Sequence, residues 1–539
     1  MTDVCVYGAT PSGILAAIAV QREGRSVVIV EPSRWMGGIL GAGLKPVQEC
    51  PNPDAVGGMT ATLLRTLGTG STMLKYSAFE ARQLGKDGVI GPREVREDYQ
   101  RLIDKNGIHI IYEHRIARCE TIDKRIVRSV FDLAPFDATG CPPATATTPE
   151  DIAVNAKVFI DASYEGELMA RAGVSYRTGR ESADSFGEKN AGVCEPIHIT
   201  PISPFIIPDD PGSGLLPLVE EDHGKPVGAA DHYTQAYNFR FYVTADPERR
   251  IAITPPDDYE PQLFELLGRY VTYLKDNTPD TELLYKHLRH IFPGWQNSKE
   301  YNYYRELLFT MAPVGISQQY ADGHYATKAR IWKQHQDYLR GLHHFMSTDP
   351  RVPSKIREET AALGLDGRHH PDTQGWPHQL YVRVSRRLKG RYTLTAKDVY
   401  NQGSVDDAIG LAQYGIDTYP ARRIWLYRNG RAHVALEGSM FIGKNAGPTN
   451  IPYPIPYRAI TPEKTECTNL LVPVCFSATH LGYASARMEP VFQICGESAG
   501  VAAVQAVNTE QAVQDIDIVA LQVRLKELGQ KLEWPLHSK

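Results

Sequence analysis

At 539 residues the chain exceeds what one ordinary hydrophobic core organises, so two or three interleaved domains are expected. Its 42% hydrophobic and 22% charged residues describe a globular protein, and a formal charge of −5 lacks the concentrated positive charge that nucleic-acid or membrane-surface partners favour. Eight scattered cysteines without a C-x-x-C spacing argue against a compact zinc site or disulfide framework and read as mostly buried thiols.

No basic leader precedes the first apolar run, which Gly8, Thr10, Pro11, Ser12 and Gly13 interrupt. No apolar stretch approaches the roughly 20 residues of a membrane span, so a cytoplasmic location is expected. Asp3 to Tyr7 predicts a buried parallel strand, Ile14 to Arg22 a helix rich in small residues, and Ser26 to Val30 a second strand. A strand, a glycine turn, a helix and a strand within about 30 residues form the unit that binds a dinucleotide. Gly8 permits the sharp turn and Gly13 the close approach of helix to sheet. Pro11 and Ser12 open the helix whose free N–H groups and positive end suit a pyrophosphate. Glu31 ends the second strand, where a carboxylate accepts ribose hydroxyls and repels the 2′-phosphate of NADP. Thr10 departs from G-x-G-x-x-G by standing at its second glycine, where its hydroxyl is expected to reach a phosphate oxygen. A plain βαβ core unit is the alternative.

The next segment carries Pro32, Arg34 and the twin glycines Gly37 and Gly38, in the place of the second phosphate-side motif of flavoproteins. That placement favours FAD over NAD; an ordinary glycine-rich loop is the other reading. Gly107 to Arg115 predicts a strand and Arg125 to Leu133 its neighbour, with Arg115 and Ile116 expected beside the cofactor. Ala156 to Ala162 predicts the strand that returns the chain to the cofactor domain, with Ala162 and Ser163 at its end and a helix over Glu167 to Ala172. Asp161 reads equally as a capping, phosphate-side or turn carboxylate.

From about 181 to 440 the chain is richer in proline and aromatics and predicts an inserted α+β substrate domain. Tyr233 to Thr244 alternates like a strand, and Pro261 to Lys275 and Ala326 to Phe345 read as helices; Pro143 to Pro149, ahead of this region, reads as a loop. The histidine pairs His287/His290, His343/His344 and His369/His370 lack a supporting carboxylate set, so no metal is expected. Arg383, Arg386, Arg387, Lys389 and Arg391 read as a solvated, partly salt-bridged segment, with anion binding as the alternative. No second glycine-rich dinucleotide loop follows, which argues against a separate nicotinamide domain.

The C-terminal part, from 441, predicts a strand over Asn469 to Val474, a loop or short helix from Cys475 to Arg487, and a helix from Pro490 to Val507. Met488 is expected at the cofactor, just before a helix start whose positive end suits the N1–C2=O edge of a reduced flavin.

Several segments together resemble one family: Val6-Tyr7-Gly8-Ala9-Thr10-Pro11-Ser12-Gly13, Asp161 to Gly173, Gln379 to Arg387, Ile455 to Arg458, Glu466 to Val474, and Arg487 to Gly500. They are similar to bacterial FAD-dependent oxidoreductases often labelled xanthan lyases. The resemblance implies a bound FAD and an α/β fold, a glutathione-reductase-like Rossmann domain (1–180 and 441–539) around the inserted domain; it implies no substrate. Gln413 to Arg423 resembles a family stretch that carries histidine where Tyr419 stands.

Flavin dehydrogenation needs a substrate C–H bond over the flavin and a group for the adjacent proton. His480, able to titrate in the working range, is the first candidate as base or orienting group. Arg487, Glu489, Arg383 and Tyr381 are candidates for orienting a small hydroxylated or amine-bearing substrate. A flavin-dependent lyase or isomerase, or a non-catalytic flavin-binding protein, remains open on the same residues.

Overall fold

The structure, a computed structural model, describes residues 2–44, 50–68, 91–292, 307–442 and 451–535. In chain order it gives β1 (Thr2–Tyr7), α1 (Pro11–Arg22), β2 (Val27–Val30), α2 (Gly38–Ala42), β3 (His109–Ile111), β4 (His114–Ile122), β5 (Arg125–Leu133), β6 (Thr148–Val154), β7 (Ala156–Asp161) and α3 (Glu167–Arg171). There follow β8 (Ile197–Thr200), α4 (Tyr325–Thr348), β9 (Arg422–Arg428), β10 (Arg431–Glu437), β11 (Leu470–Leu471), α5 (His480–Ala486) and α6 (Glu489–Thr509).

The organising element is a parallel sheet of order β11–β7–β1–β2–β3. Its central strand β1 is buried from Val4 to Tyr7, as a strand covered on both faces must be. Helices α1 and α6 pack against each other at near backbone contact. A β-carbon on Gly496 would lie 2.1 Å from the Ser12 carbonyl oxygen, and one on Gly500 2.4 Å from that of Ala16. Strands β4, β5 and β6 form a separate antiparallel sheet. Among the described residues the middle of the chain adds no strand to the parallel sheet; it contributes α4 and small antiparallel sheets such as β9–β10–β8.

Several predicted elements differ. The run from Gly107 to Arg115 is two strands, because the chain turns at Glu113 (φ 63°). There the Glu113 and His114 amides bond the carbonyls of Ser33 and Glu31, which lifts β4 out of the parallel sheet. Of Tyr233 to Thr244 only Val243–Thr244 is a strand. The amides of the remainder go to scattered partners, Thr234 to Gln318 Oε1, Ala236 to the Pro420 carbonyl and Tyr237 to Ser317 Oγ, so no ladder forms. The strand expected over Asn469 to Val474 shrinks to Leu470–Leu471, and the loop expected at Pro143 to Pro149 gives way to β6 from Thr148. Pro261–Phe264 is a 3-10 turn before a helix at Glu265–Asn277.

Candidate functional site

At the C-terminal edge of the parallel sheet, Gly8 takes φ 99°, a conformation that favours glycine, and a β-carbon there would lie 3.2 Å from the backbone of Ala162 and Ser163. Thr10 is the N-cap of α1: its hydroxyl accepts from the Gly13 amide at 3.2 Å and donates to the Ala162 carbonyl at 2.8 Å. That proton is committed, so the expected Thr10 bond to a phosphate is replaced by a clamp between the glycine loop and the end of β7. Pro11 holds the first helical turn, and the Ser12 hydroxyl is buried without a hydrogen-bond partner among the described residues. Gly37 and Gly38 both have positive φ, and the Gly37 amide bonds the Ala9 carbonyl at 2.8 Å. A β-carbon on Gly38 would collide with the Tyr164 hydroxyl, which donates to Glu489 Oε1 at 2.7 Å.

Glu31 is fully enclosed at the end of β2. Its carboxylate accepts from the Ala9 amide at 2.6 Å and from the Ser33 amide and hydroxyl at 2.9 and 2.7 Å. Burial nevertheless pushes its pKa up to about 7. Asp161 is a capping residue: one oxygen takes the Ser163 amide and hydroxyl, the other the Met169 amide at the start of α3.

Beside Pro32 lies a cavity of about 70 Å³ walled by Arg115, Phe136, Tyr325, Lys328 and Trp332 among others. The Arg115 guanidinium stacks 4.1 Å over the Tyr325 ring. Both backbone groups of Ile116 are engaged by tyrosines, its amide accepted by Tyr7 Oη at 3.2 Å and its carbonyl accepting from Tyr325 Oη at 2.7 Å. Arg34 bonds the carbonyl of Phe136 while covering Trp35. Tyr325, Lys328 and Trp332 escaped the sequence reading, although their spacing along one face of a predicted helix is the signal that finds them.

A second group gathers His480, Arg487, Tyr381 and Arg383, all buried. Arg487 donates to Tyr381 Oη at 3.0 Å, and its guanidinium lies 3.8 Å from Asp417. The guanidiniums of Arg240, Arg383 and Arg487 stand 4.9, 4.5 and 5.9 Å from the Tyr381 ring. Gln235 fixes the histidine: its Oε1 accepts from the Tyr419 amide at 3.0 Å, so its amino group faces His480 Nε2 at 3.1 Å. The His480 Nε2 lone pair is therefore already used, and burial first, then Arg387 and Arg180, holds the imidazole neutral, well below its usual range. Of base and orienting group, this geometry leaves His480 the second. Glu489 accepts from the Tyr164 hydroxyl, and Met488 is the N-cap residue of α6. Gln235, Asn238 and Arg240 were missed because their segment reads as a plain strand.

The basic run is not a solvated surface. Arg383, Arg386 and Arg387 are buried, and only Lys389 and Arg391 are exposed. Arg386 pairs with Glu167 at 3.0 Å and Arg387 with Glu181 at 3.1 Å, partners some 200 positions away that local spacing does not reveal. Among the described residues no three His, Cys, Asp or Glu side chains gather as a metal site, the cysteines are unpaired thiols, and no helix is long and apolar enough to cross a membrane.

Residues 3–525 match the family described as FAD dependent oxidoreductase, a description that names no lyase. Comparison with curated proteins returns no match. Solved structures similar in part include a flavin-containing monooxygenase from Stenotrophomonas maltophilia (16% identity, 34% of this chain and 43% of that one, TM-score 0.19). Others are THI4 from Thermovibrio ammonificans (15%, 33% and 64%, 0.21) and thioredoxin reductase from Streptococcus pyogenes (17%, 35% and 41%, 0.17). The chain thus spans less than two thirds of the length of each.

Proposed function

Because the chain belongs to the FAD-dependent oxidoreductase family, we propose that this FAD enzyme is a dehydrogenase or oxidase that removes a hydride equivalent and a proton from a small alcohol or amine. The glycine turn at Gly8, the amino end of α1, Glu31, the Gly37–Gly38 pair and the cavity wall at Pro32, Arg115 and Tyr325 fit the pyrophosphate and adenosine of the cofactor in chemistry and placement. Bound there, FAD would supply the two-electron acceptor.

The observation that carries the reading is Tyr381, whose hydroxyl is hydrogen-bonded by Arg487 and whose ring is approached by three guanidiniums. Converting an alcohol to a carbonyl, or an amine to an imine, takes a hydride equivalent from carbon and a proton from oxygen or nitrogen. Positive charge around Tyr381 favours its phenolate, and it is as the phenolate that its oxygen takes up that proton. His480, fixed by Gln235, orients the pocket, and Arg487 immediately precedes the amino end of α6.

The test is anaerobic flavin reduction by hydroxylated and amine substrates. Bleaching by one class, slowed by about 10²- to 10⁴-fold in Tyr381→Phe with FAD retained, is the expected result. Unchanged reduction in that variant removes Tyr381 from the chemistry, and a flavin that no candidate bleaches removes the dehydrogenase reading.

A further inference from the structure

Arg383 is fully enclosed, yet no carboxylate pairs with it among the described residues. Its Nε donates to the Ala236 carbonyl at 2.9 Å and its Nη2 to Asn238 Oδ1 at 2.8 Å. The rings of Tyr419 and Tyr381 lie 3.3 and 4.5 Å from its central carbon. Carbonyl dipoles and aromatic faces soften the burial of a guanidinium but do not replace an anion. The contrast with its neighbours is internal to the same segment: Arg386 and Arg387, three and four positions on, each have an acid. Burial, with Arg240 and Arg487 adding to it, holds the Arg383 pKa down at about 10 even though both tyrosines act the other way.

We propose that Arg383 is the anchor for a carboxylate of the substrate, which makes the substrate class the hydroxy or amino acids. The inference rests on the dehydrogenase reading above and specifies its substrate. Arg383 Nη1 has no protein acceptor among the described residues, and the Tyr419 and Tyr381 rings flank the guanidinium. One of those rings belongs to Tyr381, so a carboxylate on Arg383 sets the neighbouring carbon and its O–H or N–H group beside the Tyr381 hydroxyl. Oxidation of a 2-hydroxy acid in that pose would give a 2-keto acid, with bound FAD supplying the two-electron acceptor and the Tyr381 phenolate taking the hydroxyl proton. An amino acid gives the imino acid by the same balance. Tyr419 contributes an aromatic face to the guanidinium and leaves the charge undiluted.

The experiment titrates the visible flavin spectrum of the holoprotein with matched pairs of acid and amide: acetate and acetamide, benzoate and benzamide, lactate and lactamide. Saturable perturbation by the acids, at least about tenfold tighter than by the amides, is expected, with chloride competing weakly. Arg383→Lys keeps the charge but loses the planar fork and should weaken acid binding by roughly thirtyfold or more while FAD stays bound. Arg383→Met should abolish it; if that variant does not fold, the lysine variant and the acid–amide comparison in the wild type decide. Equal binding of acids and amides, or an unchanged affinity in Arg383→Lys, overturns the carboxylate anchor and leaves the dehydrogenase reading standing. A colourless protein that refuses added FAD overturns the flavoenzyme reading beneath it.

Discussion

Glu31 shows how a candidate cofactor residue is held at a cost. Its three hydrogen bonds from Ala9 and Ser33 pull its pKa down, but enclosure outweighs them and raises it from 4.5 to about 7. A carboxyl with a raised folded pKa keeps its proton longer in the folded state than in the unfolded one. The stability tied to that proton is full below about pH 4.5 and is lost as pH rises through 7. The loss is on the order of 3 kcal/mol, and thermal or urea unfolding of the FAD-free protein across this range measures it. Glu497 and Asp161, raised by burial to about 7 and about 6, titrate in the same direction. Glu31→Gln should therefore make the decline shallower without abolishing it, and an unchanged slope would show that Glu31 is ionised throughout. Sequence reading finds Glu31 because its position is set by a short local motif. It misplaces Arg383, Arg386 and Arg387 at the surface because what buries them, Asn238, Glu167 and Glu181, comes from remote parts of the chain.

Among the elements, the crossing of α1 and α6 decides how the dinucleotide site is supported. Gly496 and Gly500 let the C-terminal helix lie against the carbonyls of Ser12, in the first turn of α1, and Ala16, in the second. Gly496→Val has nowhere to put its side chain, since the obstructing atoms are backbone. It should cost about 3 kcal/mol or more and lower FAD retention, because α1 cannot move without its glycine turn. Gly24→Ala is the control: φ is 80° but nothing lies within 4 Å, so only strain of about 1 kcal/mol is expected, with FAD unaffected. If the two variants lose equal stability, the crossing is looser than its geometry implies. The elements β1, α1 and β2 were legible from their apolar and small-residue patterns; that α6 is the helix packed on α1 was not. The break at Glu113 and the irregular path of 233–242 were not legible, because both depend on carbonyls and side chains supplied by distant loops.

Over the whole molecule, buried ion pairs join the sheet-bearing ends of the chain to its middle. Lys328 of α4 and Arg386 flank Glu167 of α3 and, against burial, hold its carboxyl at about 2. Arg180 does the same farther out, bonding Asp231 and Glu437 with all three side chains almost wholly enclosed. Arg180→Met leaves two carboxylates facing each other without a cation, and a loss of about 3 to 5 kcal/mol is expected. The variant should regain stability as pH falls, because protonating one acid of the uncompensated pair, or His223 3.7 Å from Asp231, relieves the repulsion. Replacing all three by apolar residues of similar volume should restore most of the loss, since the desolvation of the charges disappears with them. Unfolding curves of the single and triple variants at neutral and acidic pH separate these outcomes. A single variant that is no less stable than wild type, or whose stability does not rise on acidification, would mean that Asp231 and Glu437 reach water once Arg180 is gone and that the middle of the chain is not locked to the ends at this point.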